Sequence, residues 1–410
     1  MAWRHWAAGL TNLIADPPRM LVVWSWIPCN STGAGILMRR LFAGYPPGEL
    51  WALTSKSTKR IAAPFNPVPP PERQTTVPEV QIHRRWLDKL ALVLNRLLIP
   101  WFVWRGVRLV HREKIEAIFT VPWDHLTIAA YFIHKITGRP LCMYIMDDPA
   151  GARKFGGLRP ILYGLLMPRI VRSCRRVWGV SEGMCEYIER AYSAKCLTLL
   201  PLLDVEGFRE AVARTEPDGK RPFSVIFTGA IYSAQVDALR HLVNVIEREA
   251  SENHSEQCVH LTLYTSLPAA GLERFGLVGK NVRRDEVPAS EVSRVMAEAD
   301  VAFLPLSFEP EMLHVVETSL PSKIAEYLAA GLPILAYAPR SSTVARYCRE
   351  NDCGLVVDVP DEAALRDALI RLRNEPKLRS ELSARAVEIA KKNHDAERIG
   401  RAFLRELCDN

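Results

Sequence analysis

The stretch Ser319–Ala336 contains the residue types and spacing best suited to chemistry, in the order S-L-P-S-K-I-A-E-Y-L-A-A-G-L-P-I-L-A. Pro321 and Ser322 open a predicted helix, and the first N–H groups and positive dipole end of a helix can bind an anion. Lys323 adds a positive charge at this end, which favours phosphate. Glu326 follows one turn later, where its carboxylate can accept hydrogen bonds from the hydroxyls of a ribose.

Two series of alternating strands and helices must position these residues. The first series runs from an apolar strand at 20–27 to a strand at 196–200, and the second runs from a strand at 223–227 to a strand at 355–357. Helices are predicted from Glu362 to the end. The alternation predicts an α/β fold with two Rossmann-like domains, each with a parallel sheet and a glycine-bearing loop after its first strand. Ligands of such sheets bind at the carboxyl ends of the strands, so we expect a cleft between the two domains.

The domain boundaries follow from the turn-rich segment at 204–221, which we interpret as the interdomain linker. We expect an N-terminal Rossmann-like domain at 1–205, with basic helices that could face a membrane. A second Rossmann-like domain is expected at 206–385. The helix at 386–410 is expected to pack back on the first domain.

The composition of the 410 residues excludes several classes of protein. With 48% hydrophobic and 24% charged residues, the chain is neither disordered nor a polytopic membrane protein. The net charge of +7 is unevenly distributed. Residues 1–205 contain 27 Lys and Arg against 14 Asp and Glu, whereas the remainder is acidic overall. The basic half indicates an anionic partner, namely lipid, a phosphorylated substrate or nucleic acid.

Cysteine usage indicates the compartment. The nine cysteines include no C-x-x-C spacing, so neither a zinc site nor a disulfide framework is predicted, and a reducing compartment is favoured. Residues 1–18 have no long apolar segment before Asp16, so we expect no cleavable signal peptide. These features predict a cytoplasmic protein, which could be peripheral on the inner face of the membrane.

The apolar stretch 86–110 resembles a membrane span in hydropathy, but it is interrupted by Lys89, Asn95, Arg96, Arg105 and Arg108. Each charge at the centre of a bilayer costs about 2.5–3.5 kcal/mol on insertion scales, which argues against a span. Two alternatives remain open. The stretch can form a pair of basic amphipathic helices at a membrane interface, since it contains Trp101 and Trp104. It can equally form two helices that pack on the core of their own domain.

The 319–336 stretch resembles the nucleotide-sugar motif of retaining GT-B glycosyltransferases of family 4, the group 1 glycosyltransferases, in the form P-x-K-x-x-E-Y-x-A-x-G-x-P. Three further segments resemble that family in the same order along the chain. They are the V-S-x-x-M segment at 179–184, the glycine loop at 227–232 and the A-D-hydrophobic-P strand at 299–305.

This resemblance implies transfer of a hexose from a nucleoside-diphosphate donor with retention of anomeric configuration. It also implies that the domain at 1–205 binds the acceptor and that the domain at 206–385 binds the nucleotide sugar. It implies that the donor is held by Gly229, Ser319, Leu320, Ser322, Lys323 and Glu326. No metal or other cofactor is implied, and no D-x-D sequence occurs where a metal would be expected. No protein nucleophile is firmly implied either, because the leaving diphosphate oxygen can itself take the acceptor proton.

The sequence departs from the family pattern in three places. Thr318 occupies a position where many relatives have Glu. Ala230, Ile231 and Gln235 occupy the region where relatives place an Arg and a Lys on the diphosphate, so Lys323 and backbone amides are left for that task. Relatives also end one N-terminal strand with His-Asp, and Asp147 follows a methionine here.

His125 can replace the absent histidine, because it follows the predicted strand at 115–121 and therefore lies at a carboxyl edge. With Asp147 and Glu326 it completes the set of candidate catalytic residues, in which His125 or Asp147 orients the acceptor hydroxyl or contacts the donor sugar. Gly33 and Gly35 form the N-terminal glycine loop. The alternatives are local hydrogen bonding of His125 at a helix start, a capping role for Asp147 and a plain turn at the two glycines.

The leading hypothesis is therefore a retaining glycosyltransferase whose acceptor is a glycolipid or oligosaccharide, either lipid-linked or a growing polysaccharide. An anionic membrane surface is the expected further partner. Two alternatives stay open, namely a GT-B epimerase that acts on the nucleotide sugar alone and a non-catalytic protein that binds a nucleotide sugar. No nucleic acid partner is expected, because no stacking-rich basic motif is visible.

Overall fold

The computed structural model describes residues 17–25, 28, 33–46, 48–55, 68–78, 94–122, 125–147, 159–213, 221–252 and 259–408, with the side chains of 71 and 159–164 left out. The chain divides into two compact units. The first comprises Met1–Leu200 together with Ala396–Asn410, and the second comprises Pro201–Asp395. Each unit is built around one parallel sheet with helices.

The first unit contains a seven-stranded sheet in the order β3-β2-β1-β4-β5-β6-β7. Its strands are β1 (Met20–Val23), β2 (Leu50–Ser55), β3 (Gln74–Val77), β4 (Ala117–Thr120), β5 (Leu141–Ile145), β6 (Arg176–Gly179) and β7 (Leu197–Thr198). Its helices are α1 (Gly33–Phe42), α2 (Ile99–Arg112), α3 (His125–Thr137), α4 (Arg159–Ser173) and α5 (Glu182–Tyr192). The central strands are buried along their whole length, as parallel strands covered by helices must be.

The second unit contains a six-stranded sheet in the order β10-β9-β8-β11-β12-β13. Its strands are β8 (Phe223–Thr228), β9 (Val259–Tyr264), β10 (Val282–Asp285), β11 (Val301–Pro305), β12 (Ile334–Tyr337) and β13 (Gly354–Val357). Its helices are α6 (Val205–Ala213), α7 (Ser233–Glu252), α8 (Ala269–Phe275), α9 (Val292–Ala297), α10 (Leu313–Thr318), α11 (Lys323–Ala329), α12 (Thr343–Glu350), α13 (Glu362–Asn374) and α14 (Pro376–Ile389). The two parallel sheets confirm the predicted α/β class.

The last helix, α15 (Ala396–Cys408), belongs to the first unit. Its Phe403 is buried, with ring centroids 6.0 Å from Phe42, 5.9 Å from Phe119 and 5.0 Å from Trp178. Glu406 accepts a hydrogen bond from the Trp178 indole at 2.5 Å. Aromatic packing and one hydrogen bond to an indole thus hold the end of the chain on the first sheet.

The chain crosses from the first unit after Leu200 and returns after Asp395, and His394 ties these two crossings together. Its buried ring places Nδ1 at 2.6 Å from the Pro201 carbonyl and Nε2 at 2.7 Å from the Tyr347 hydroxyl. Because a carbonyl oxygen only accepts, Nδ1 carries the proton and Nε2 accepts from Tyr347. The Leu203 amide also donates to the His394 carbonyl at 2.9 Å.

In the Pro-rich region 64–80, Gln74–Val77 forms the edge strand β3, where its threonines are only half-buried. One segment differs from its predicted structure. A linker was expected at 204–221, but Val205–Ala213 is a helix. The Asp204 carboxylate accepts from the Gly207 amide at 3.0 Å and caps that helix, while Val205 is buried.

The stretch predicted to be a helix pair at 86–110 lies partly outside the described residues, and its described end forms α2. Within the described ranges, no helix is long and apolar enough to span a bilayer.

The buried His394 predicts a specific loss of stability in acid. Burial lowers its pKa to about 4. Between pH 6.5 and pH 4 the unfolded chain therefore binds a proton that the folded chain does not, and the free energy of unfolding decreases as the pH is lowered. We expect His394→Gln to cost about 1–3 kcal/mol at pH 7. Its deficit relative to wild type should shrink toward pH 4, because glutamine does not titrate.

Urea unfolding followed by circular dichroism at pH 7 and pH 5 measures this difference. His111→Gln, at an exposed position of α2, is the matched control and should leave both values unchanged. A deficit of the same size at both pH values would contradict the assignment of the proton to His394.

Candidate functional site

The motif at 319–336 forms a loop, the short helix α11 and the strand β12. Ser319 leaves α10 in an extended conformation and is buried with Leu320, and Ser322 is the residue that precedes the first turn of α11. Gly331 ends the helix with φ +72°. Its amide donates to Leu328 and the next amide donates to the Tyr327 carbonyl, both at 3.0 Å, which is the bonding pattern of a Schellman motif.

Tyr327 connects this helix to the glycine loop after β8. Its buried hydroxyl accepts hydrogen bonds from the Thr228 amide at 2.9 Å and from the Thr228 hydroxyl at 3.2 Å. Gly229 follows directly, with its amide donating to the Tyr264 carbonyl at 2.8 Å and with φ +104°. Only glycine adopts that backbone angle without strain, so the sharp exit from β8 requires a residue without a side chain.

Lys323 lies under this glycine loop. Its Nζ is 3.5 Å from the centroid of the Phe227 ring, and a Cβ built on Gly229 would be 3.5 Å from the same atom. Although the residue as a whole is half-buried, Nζ is buried and has no hydrogen-bond partner among the described residues. A cation–π contact with the ring is the main favourable interaction left to it.

The surroundings of Lys323 change its protonation. Burial lowers its pKa to about 7, because water is removed from the charged ammonium, and the nearby Glu326 carboxylate partly opposes this by favouring the charged form. Glu326 is one turn further along α11 and is half-buried. The site therefore holds a lysine whose buried ammonium is close to losing its proton at neutral pH.

Two residues of the second unit were not predicted as site residues. Gln235 was named only because it lies where relatives place a basic residue, and Asp237 was not predicted at all. Both lie in the first turns of α7, immediately after the glycine loop. Gln235 Oε1 and Asp237 Oδ1 are buried without a partner in the part of the chain that the structure describes, while the other Asp237 oxygen accepts from the Phe308 amide at 2.8 Å. Their position directly after the glycine loop was the one available sequence signal. Unsatisfied buried oxygens next to that loop are candidates for binding ligand hydroxyl or amide groups.

The N-terminal candidates lie at the carboxyl edge of the first sheet. His125 begins α3 after β4, with its ring centroid 5.3 Å from that of Phe102, and its Nε2 is buried with no partner among the described residues. Asp147 follows the neighbouring strand β5 and is exposed. Trp24 follows β1, on the other side of β4, and its indole nitrogen is also buried without a partner in the described ranges. The sequence gave no reason to select Trp24.

The predicted N-terminal glycine loop is wrong in one respect. Helix α1 begins at Gly33, so Gly33 and Gly35 lie in its first turn and not in a loop. Gly35 is buried, which the absence of a side chain allows at the start of a packed helix. The residues between β1 and α1 lie mostly outside the described residues.

Replacing Lys323 tests its burial directly. We expect Lys323→Met to raise the free energy of unfolding of the ligand-free protein by about 1–3 kcal/mol at pH 7, because a buried polar group without a partner is removed. The wild-type lysine binds fewer protons when folded than when unfolded between pH 7 and 10.5, so wild-type stability rises with pH there. The advantage of the methionine variant should therefore shrink as the pH is raised.

Thermal unfolding of both proteins at pH 7 and pH 9.5 measures this effect. Lys280→Met, at an exposed position of the same unit, is the control. A lower melting temperature for Lys323→Met at pH 7, or a difference that does not depend on pH, would show that the amine is solvated.

The sequence and the fold were compared with protein families and with solved structures. Residues 222–375 match the family model described as glycosyl transferases group 1. Anabaena Alr3699/HepE, solved in complex with UDP-glucose, aligns with 95% of this chain and 99% of its own at 13% identity and a TM-score of 0.66. WaaG, a glycosyltransferase involved in lipopolysaccharide biosynthesis, aligns with 95% of this chain and 100% of its own at 14% identity and a TM-score of 0.60.

A UDP-forming α,α-trehalose-phosphate synthase from Burkholderia vietnamiensis aligns with 95% of this chain and 99% of its own, at 12% identity and a TM-score of 0.61. No curated protein matches the sequence significantly. The predicted GT-B fold is thus confirmed. With that fold and with a group 1 glycosyltransferase domain in its second unit, the protein is an enzyme of the glycosyltransferase class.

Proposed function

We propose that this enzyme is a retaining transferase of the family 4 type that moves a hexose from a nucleoside-diphosphate sugar to a hydroxyl of a lipid-linked or polysaccharide acceptor. The observation that carries the proposal is the buried Lys323 ammonium beside Gly229, which has no hydrogen-bond partner among the described residues. A diphosphate at the glycine loop would supply both an acceptor and further negative charge. Because Alr3699/HepE was solved with UDP-glucose, UDP-sugars are the first donors to test.

In this proposal the donor residues bind different parts of the nucleotide sugar. Lys323 and the backbone around Gly229, Ser319, Leu320 and Ser322 hold the diphosphate, and the start of α11 adds the positive end of its dipole. Glu326, one turn further along, accepts hydrogen bonds from the ribose hydroxyls. The seven residues of α11 form too short a helix to hold a diphosphate alone, so the proposal depends on Lys323.

Catalysis in this proposal consists of alignment and stabilisation of the leaving group. The acceptor oxygen bonds to the anomeric carbon, the bond from that carbon to the diphosphate oxygen breaks, and the acceptor proton passes to the departing diphosphate. The ammonium of Lys323 stabilises the charge that develops there, so no metal is required by the proposal. His125, Asp147 and Trp24 are the groups of the first unit that would position the acceptor hydroxyl.

A donor panel tests the function. UDP, GDP, ADP, CMP and dTDP and their sugars are screened by thermal shift, where a ligand at 100 times its Kd stabilises by about 2.7 kcal/mol. Transfer is then measured with EDTA present. We expect Glu326→Ala to lower kcat/KM by about tenfold to a hundredfold, because hydrogen bonds to a charged group are lost. Lys280→Ala is the control.

Four outcomes would contradict the proposal. Absence of binding and transfer with every donor, or full activity of Glu326→Ala, would exclude this donor site. Conversion of the nucleotide sugar without any acceptor would indicate an epimerase. Donor binding without turnover over a range of acceptors would indicate a non-catalytic nucleotide-sugar-binding protein.

The depressed pKa of Lys323 predicts how donor affinity changes with pH. A bound diphosphate favours the charged ammonium and raises its pKa above the value of about 7 in the ligand-free protein. Donor binding above pH 7 must therefore take up a proton, and affinity should fall by up to about tenfold per pH unit. UDP-glucose suits this test because its diphosphate does not titrate in this range.

Calorimetry of UDP-glucose binding at pH 8, in buffers of different ionisation enthalpy, measures the proton uptake. We expect nearly one proton for wild type and almost none for Lys323→Gln, which should also bind more weakly. Equal proton uptake in both proteins would assign the proton to another group.

A further inference from the structure

Large apolar side chains are exposed mainly on one group of helices in the first unit. Nine such side chains are exposed among the described residues, and six of them lie on α2, α3 or α4 or just before α2. These six are Leu97, Trp101, Trp104, Phe132, Ile136 and Leu165. The three helices are neighbours, since α2 packs against α3 and α3 contacts α4. We call this set of side chains the apolar patch of α2–α4.

The orientation of α2 is fixed by a close contact with α3. A Cβ on Gly106 would lie 2.2 Å from the Ile133 side chain, so a larger residue here would force that side chain to shift. The face that includes Phe102 and Leu109 is therefore buried. Trp101 and Trp104 are turned outward and are 38% and 49% exposed.

The charged side chains on helices α2, α3 and α4 themselves have one sign. Helices α2, α3 and α4 contain seven Lys and Arg residues but no Asp or Glu. The Arg105 guanidinium lies 5.5 Å from the centroid of Trp101, and that of Arg108 lies 4.8 Å from Trp104. Each pair joins an apolar ring to a cation at the surface, as side chains at a membrane–water interface do.

We propose that the apolar patch of α2–α4 docks the first unit on an anionic lipid bilayer. Tryptophan prefers the level of the lipid headgroups, and cations beside it attract anionic headgroups. Basic charge together with inserted apolar side chains meets the two requirements for stable peripheral binding. Nucleic acid is a poorer occupant, because the aliphatic Leu97, Ile136 and Leu165 cannot stack on bases as aromatic rings do.

This proposal does not depend on the proposed donor chemistry, because the patch lies in the first unit and the donor residues lie in the second. A loss of vesicle binding with normal UDP-glucose binding would thus concern docking alone. The reverse result would concern the donor site alone.

Co-sedimentation of the full-length protein with vesicles of pure phosphatidylglycerol and of pure phosphatidylcholine tests the proposal at low salt. We expect binding to phosphatidylglycerol and little binding to phosphatidylcholine. The double variants W101Q/W104Q and R105Q/R108Q should each lower vesicle binding by about tenfold or more. The matched controls are V278Q/V359Q and K280Q/R283Q, which remove exposed side chains of the same kinds from the second unit.

Quenching of tryptophan fluorescence by brominated phosphatidylglycerol provides a second measurement, and circular dichroism verifies that the variants are folded. Quenching in wild type that is largely lost in W101Q/W104Q supports insertion of these rings. Wild-type vesicle binding by both double variants would overturn the proposal. So would failure of wild type to bind phosphatidylglycerol, or binding to a single-stranded RNA oligonucleotide that outcompetes the vesicles.

Discussion

The constraint on which the site of the second unit depends is a buried ammonium that has no hydrogen-bond partner within the described ranges. Lys323 Nζ lies between the Phe227 ring and the loop at Gly229, where burial moves its pKa to about 7. Such a group weakens the ligand-free fold, since its charged form has lost water and gained only a ring face. In the proposed function, a bound diphosphate would offset that deficit by favouring the charged ammonium.

The parts that hold this lysine are shared with the fold itself. Lys323 and Tyr327 lie one turn apart on the same face of α11, so that Tyr327 fixes the end of β8 at Thr228 while Lys323 lies beside Phe227 and Gly229. The Schellman motif at Gly331 ends the helix and directs the chain into β12. A single seven-residue helix therefore sets both the sheet geometry and the position of the cation, which explains why these residue types occur together.

Arginine side chains have different partners in the second unit and on α2 of the first unit. In the second unit many arginines are neutralised by ion pairs, such as Arg221 with Asp300 at 2.7 Å and Arg366 with Glu249 at 2.7 Å. On α2 of the first unit, Arg105 and Arg108 instead lie over exposed indole rings, on a helix that has no acidic residue. Part of the excess positive charge of the first half of the sequence thus lies on the outward face of α2, because the opposite face packs on α3 through Gly106.

The sequence alone determined the α/β class, because apolar strands and amphipathic helices differ in period and alternate along the chain. It also determined the motif at Ser319–Ala336, since proline, lysine, glutamate and glycine at these spacings are local signals of helix start, charge and helix end. The sequence did not reveal the edge strand at Gln74–Val77 or the helix at 205–213, which depend on neighbours distant in the chain. Only the tertiary structure decided that Lys323 is buried against Phe227 and that Trp101 and Trp104 face outward. Burial and exposure depend on what packs against a residue, and that is a property of the folded chain and not of its local order.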